Sequence, residues 1–190
     1  MKIESNSSIP EGYKDVSVPI IDILQGAQSL ALILLIVPLI THIILNGFNS
    51  FIDTTFNLKT LLLAIPMFIA FIIAHELIHA IGWVIFGRFS PKHIKFGFDR
   101  ATLSPYAHAK VSMRANAYRI GAALPGIITG LIPILYGISI ADGASTLLGA
   151  IMTSSAVGDI YVLWVIRNVP NQAIVRDHPS QAGCFVKIED

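Results

Sequence analysis

The sequence predicts an all-α membrane protein: four transmembrane helices, with a small β-hairpin in the cytoplasmic loop between the second and third. Three observations carry that prediction. Apolar residues make up 54% of the 190 and charged residues only 13%, where a soluble domain carries about 25% charge. The apolar residues gather into runs long enough to cross hydrocarbon, which takes roughly 20 residues of helix, and mean hydropathy is +0.68. Finally, the basic residues fall almost wholly on one side of those runs. The length suits a single domain over residues 1–190, without internal repeat or low-complexity tract.

Taken in order, the chain begins polar, with a turn at Pro10-Glu11-Gly12 and a more apolar piece, Val16 to Leu24, expected as a short interfacial segment. No basic n-region precedes an apolar core, so no cleaved signal peptide is expected. The first span is placed at 27–45, kinked at Pro38. His42 near its end is expected to pack rather than ligate. A polar loop, Asn46 to Asn57, leads to the second span at 61–86, loosened at Pro66. Gly87 to Ala117 is basic and alternates like strand. Ile94, Phe96 and Phe98 share one face, and Ala107, Ala109, Val111 and Met113 another, with the turn at Asp99 to Thr102. The third span, 118–141, holds Ala122, Gly126 and Gly130 at helical spacing, a stripe for close helix approach. Pro125 and Pro133 should bend it. After Asp142-Gly143 comes the fourth span, 145–166, and then a polar tail with a turn at Asp177 to Ser180 and a strand-like stretch, Cys184 to Ile188.

Four spans put both termini and the basic loop on one side. Of the 13 Lys and Arg, only Lys59 lies on the other. By the positive-inside rule the termini and hairpin are then cytoplasmic, and the second and fourth spans run in the same direction. The single cysteine, Cys184, excludes an internal disulfide and a cysteine-based zinc site. The expected partners are the lipid bilayer and a membrane protein or peptide, not nucleic acid.

Within the second span stands Ala74-His75-Glu76-Leu77-Ile78-His79. Residues four apart share a helix face, so His75 and His79 can aim their imidazoles at one point. Glu76 lies about 100° further round, beside a metal but off the ligand axis. Three ionisable side chains in five residues of a span are costly without a function. A catalytic zinc takes three protein ligands and keeps one position open. A histidine six residues after His79 is lacking, since position 85 is Ile85, and the only later glutamate is Glu189. Of the aspartates beyond the motif, only Asp159 sits well inside a span. His79 is eight residues before Gly87 and Asp159 eight before Arg167, so both lie about 12 Å from the cytoplasmic helix ends. Asp159 is therefore assigned as third ligand. The alternative is a buried carboxylate bonded to Ser154 or Ser155 of its own helix.

The motif, together with Ile94-Lys95-Phe96-Gly97, Ser104-Pro105-Tyr106-Ala107 and Gly158-Asp159, resembles the zincin peptidase family of small bacterial integral membrane proteins. Ile9-Pro10-Glu11-Gly12-Tyr13 and Val175-Arg176-Asp177-His178-Pro179 extend the resemblance over nearly the whole chain. More distantly the chain is similar to the site-2 intramembrane metalloproteases, though it lacks their Asn-Pro-x-Asp-Gly signature and PDZ insertion. The resemblance implies a metallopeptidase of the bacterial cell membrane.

The function expected is that of a zinc metalloendopeptidase acting on membrane or membrane-proximal substrates. Zn2+ is held by His75, His79 and Asp159, and Glu76 takes the proton of a zinc-bound water. His93 and His108 could reach the site from the hairpin, but are expected in solvent. A metal transporter is the rival reading. It would need polar residues on several spans, and the first and third offer little beyond His42 and Thr129. A non-proteolytic metal-binding protein is the other, and has no use for Glu76.

Overall fold

The computed structural model describes residues 9–19, 22–23, 26–100 and 104–188. Among the described residues, strands and helices follow one another in this order. They are β1 (Tyr13–Val18), α1 (Gln28–Asn46), α2 (Phe48–Thr55), α3 (Leu58–Gly87), β2 (Ile94–Asp99), β3 (Ser104–Ala109) and β4 (Ser112–Arg114). Then come α4 (Ala115–Pro125), a π-helical stretch (Gly126–Leu131), α5 (Ile132–Ser139), α6 (Gly143–Ser155), α7 (Val157–Val165), β5 (Ile174–Asp177) and β6 (Ala182–Lys187). Four helical stretches are long and apolar enough to cross a membrane: Gln28–Asn46, Leu58–Gly87, Ala115–Ser139 and Gly143–Val165. The chain divides into two compact units. One comprises Met1–Gln25, His79–Ala123 and Gly158–Asp190, the other Gly26–Ile78 and Leu124–Val157.

The second unit is helical. Glycines let its helices close on one another. A Cβ on Gly130 would stand 2.3 Å from Thr153 Oγ1, and one on Gly149 2.7 Å from Gly130 O. The Gly126–Gly130 stripe thus seats α6. Polar pins set the register. Ser154 Oγ donates to Ala31 O at 2.9 Å, and the buried His42 ring meets Thr146 Oγ1 at 2.8 Å. Asp142 caps α6 by accepting from Ser145 N at 3.0 Å, satisfying a donor the helix start leaves open. Large apolar side chains on α1 and α3 remain exposed, among them Ile44, Leu62 and Ile65. An apolar surface so wide is of the kind that marks contact with lipid or with another protein.

The first unit holds a four-stranded antiparallel sheet in the order β1-β6-β5-β4 and a separate pair, β2 with β3. Its core gathers Trp83, Ala109, Met113, Tyr118, Ile166, Val175 and Cys184. Gly183, at φ 133, is where β1 crosses closest, since a Cβ there would stand 2.4 Å from Val16 O. Arg119 donates to Ile166 O and Val169 O at the end of α7, and to Asn171 Oδ1 at 2.7 Å. A guanidinium there satisfies carbonyls that a helix terminus leaves open.

The structure departs from the all-α expectation in the sheet. The alternation from Ala107 to Met113 is two strands, not one, because Lys110 and Val111 break it. β3 then pairs with β2, and β4 with β5. Val16 to Val18 belong to β1, paired with Ala182 to Cys184, rather than to an interfacial segment, of which Ile20, Ile21 and Leu24 lie outside the described residues. Asn46 to Asn57 is largely the helix α2, not a loop. The expected turn at Asp99 to Thr102 lies partly outside the described residues.

Burial pushes the Cys184 thiol up to about 12, with Asp177 adding to the effect. The thiolate is the nucleophile, so folded protein at pH 8 should resist a maleimide over hours and react within minutes once unfolded in dodecyl sulfate, as read by mass spectrometry.

Candidate metal centre

Both histidines of the motif lie on α3 and are buried. His79 Nδ1 lies 2.9 Å from Gly121 O. A carbonyl can only accept, so Nδ1 carries the hydrogen and Nε2 keeps its lone pair. That carbonyl is free to accept for a reason written in the chain. In a helix it would receive the N–H four residues on, and that residue is Pro125, which has none. Glycine at 121 is equally required, since a Cβ there would stand 2.1 Å from Trp83 Cδ1.

His75 is held in the same manner. Its Nδ1 lies 3.3 Å from Thr129 Oγ1, and Thr129 gives its own hydroxyl hydrogen to Pro125 O at 2.8 Å. His75 Nδ1 is then the donor and its Nε2 carries the lone pair. Thr129 stands in the π-helical stretch Gly126–Leu131, a geometry that clusters at functional sites.

Asp159 lies in the first turn of α7, which starts afresh after a break at Ala156. The new helix start lends its positive end to a carboxylate that would cost about 2.5–3.5 kcal/mol at a bilayer centre. The serines that might have held it bond elsewhere, Ser154 to Ala31 O and Ser155 to Ile151 O. Instead Asp159 Oδ1 lies 3.3 Å from His79 Nε2. One ligand atom from each of His75, His79 and Asp159 lies within 4.8 Å of the others. A carboxylate oxygen facing an imidazole lone pair at that distance calls for a cation, and two nitrogens with one oxygen suit zinc. The residues present fit the ion. Glu76, one residue on from His75, is part-buried.

Behind His79 runs a stack of rings. His79 lies 5.3 Å from Trp83 at 20°, and Trp83 lies 5.7 Å from Tyr118 at 5°. Trp83 Nε1 donates to Tyr118 O at 3.1 Å. The Tyr118 hydroxyl donates to Asp177 Oδ1 at 2.7 Å. Asp177 also accepts from Ala109 N and from His108 Nδ1. His108 therefore anchors β3 to β5 and is not left in solvent. His93 packs edge-on to Phe89, and His42 is pinned to Thr146, so neither joins the cluster. Next to Asp177, burial lowers the pKa of His178, whose Nδ1 accepts from Ser180 N and Gln181 N.

Trp83, Tyr118, Gly121, Thr129 and Asp177 went unread as supports of the site. Gly121 and Pro125 carried a signal, a glycine four residues before a proline in an apolar run. Asp177 is legible only as a turn in the polar tail and Thr129 only as a polar residue of the third span, and Trp83 and Tyr118 carry no signal in the sequence.

A family model described as "Putative zincin peptidase" matches residues 68–174, which is more than half of the 190. The chain belongs to that family. No curated protein and no solved structure matches it.

Proposed function

Starting from that membership, we propose that the protein is a membrane-embedded zinc metallopeptidase cleaving peptide bonds of membrane or membrane-proximal substrates. His75, His79 and Asp159 are its zinc ligands and Glu76 its general base. The observation that carries the reading is the approach of two imidazole nitrogens and one carboxylate to within 4.8 Å, on helices apolar enough to cross a membrane.

Zinc, when bound, supplies a Lewis acid that acidifies water and polarises a carbonyl. The chain's own groups do the rest. Gly121 O and Thr129 Oγ1 hold the imidazoles in the tautomer that offers Nε2, and raise ligand basicity as such outer partners do. Asp159 and Glu76 together offset the charge of the ion. Glu76 accepts the proton of the attacking water at its carboxylate and passes it to the leaving amine. The excess of basic residues on one side supports a cytoplasmic position for both termini and β2–β3. Among the described residues β2 pairs only with β3, so its outer edge is open to an extended substrate strand.

Metal analysis of detergent-purified protein tests the reading. Wild type should hold one zinc per chain, and Asp159→Ala should lose most of it. Wild type without zinc, or Asp159→Ala with a full complement, overturns the ligand assignment.

A further inference from the structure

The first unit carries an open surface hollow of about 340 Å³ that neither histidine of the motif lines. Its walls are Phe86 and Ile120 on the apolar side, and Arg88, Arg114, Asn116 and Gln172 on the polar side. No carboxylate lines it. Phe86 ends a stretch apolar enough to span a membrane, and Asn116 and Ile120 begin the next. The hollow thus stands where the ends of two such stretches meet polar segments, with apolar and cationic residues in one lining.

Two features mark the guanidiniums as unspent. Among the described residues neither Arg88 nor Arg114 has an ion pair or a side-chain hydrogen bond. Arg119 is different, since its guanidinium is committed to three acceptors. Arg88 also sits at φ 55, in the left-handed region where glycine is the unstrained choice. Arg88 follows the last residue of α3, where a left-handed residue ends the helix, and it lines the hollow beside Arg114. Two like charges facing one hollow repel until an anion enters. Guanidinium forks match the oxygens of phosphate, and the Asn116 and Gln172 amides add neutral donors.

We propose that this cavity binds a phosphate group, in the first instance the headgroup of an anionic phospholipid whose chains lie along Phe86 and Ile120. The site does not depend on the metal centre and stands or falls separately from the peptidase reading.

Native mass spectrometry of the full chain in maltoside micelles tests it, with phosphatidylglycerol, phosphatidylcholine and inorganic phosphate as the probes. Wild type should retain one phosphatidylglycerol in preference to phosphatidylcholine. The double variant Arg88→Gln/Arg114→Gln should lose roughly 30-fold in that affinity, at about 1 kcal/mol for each basic residue. Arg88→Gly guards against misfolding, because it relieves the positive φ while removing one guanidinium. It should melt no lower than wild type and still bind more weakly. Lys14→Gln, on β1 at the sheet edge opposite β4, should bind as wild type does. If inorganic phosphate binds wild type but not the double variant, and the lipid shows no preference, the phosphate site stands and its ligand is soluble. Equal lipid and phosphate binding by wild type and the double variant overturns the proposal.

Discussion

Replacing Glu76 by glutamine should leave one zinc per chain and abolish peptide hydrolysis. The amide is nearly isosteric, cannot accept the proton of the attacking water, and is not one of the three groups that converge on the metal position. General base catalysis contributes about 10²–10⁴-fold, so cleavage of a fluorogenic peptide pool in micelles should fall at least 100-fold by that range. The metal content of the same sample should match wild type. Loss of zinc along with activity would make Glu76 a ligand and return the third position to question. Unchanged activity with zinc in place would remove it from the chemistry altogether.

The second large effect is expected far from any ionisable group, at Gly121. Gly121→Ala sets a methyl 2.1 Å from Trp83 Cδ1. The indole has little room to yield, because it is stacked between His79 and Tyr118 and bonded to Tyr118 O. Overpacking of this kind costs about 1–3 kcal/mol, and the backbone that moves to relieve it carries the carbonyl that orients His79. Loss of an outer partner of a metal ligand lowers metal affinity about 10–100-fold. A cobalt titration should show that loss, with an altered ligand-field spectrum where binding persists. Pro125→Ala is the companion. It leaves Trp83 alone but returns an N–H to compete for Gly121 O, so it should weaken metal binding without the same drop in thermal stability. If Gly121→Ala binds cobalt as tightly as wild type, the carbonyl contact is incidental.

Much of the centre was legible because its chemistry is expensive in an apolar run. His75, Glu76 and His79 close together, and one aspartate at matching depth, stand out against an otherwise uncharged background, and periodicity alone turns the two histidines to one side. The four apolar stretches were legible for a similar reason, since burial in lipid demands continuous runs rather than a pattern. Their ends moved by a few residues, and the strands were read only in part. β4 and β5 have only three and four residues, and a short alternating run is ambiguous until a partner is present to accept its backbone hydrogen bonds; β6 was legible in part, as Cys184 to Ile188.

What composition and spacing by themselves determined is the run of four apolar stretches, the motif and the candidate ligand types, because those follow from local periodicity and from the cost of charge in an apolar run. Tertiary structure alone decided how the candidate ligands are held. Gly121 O meets His79 only because Pro125 cannot bond it and α3 passes beside it. Asp159 finds a helix start only because the chain breaks at Ala156. Asp177, 18 residues further along the sequence, reaches the stack behind His79 only through the Tyr118 hydroxyl. Each depends on a neighbour distant in the chain, and the free energy of such a contact exists only once folding has brought the two together.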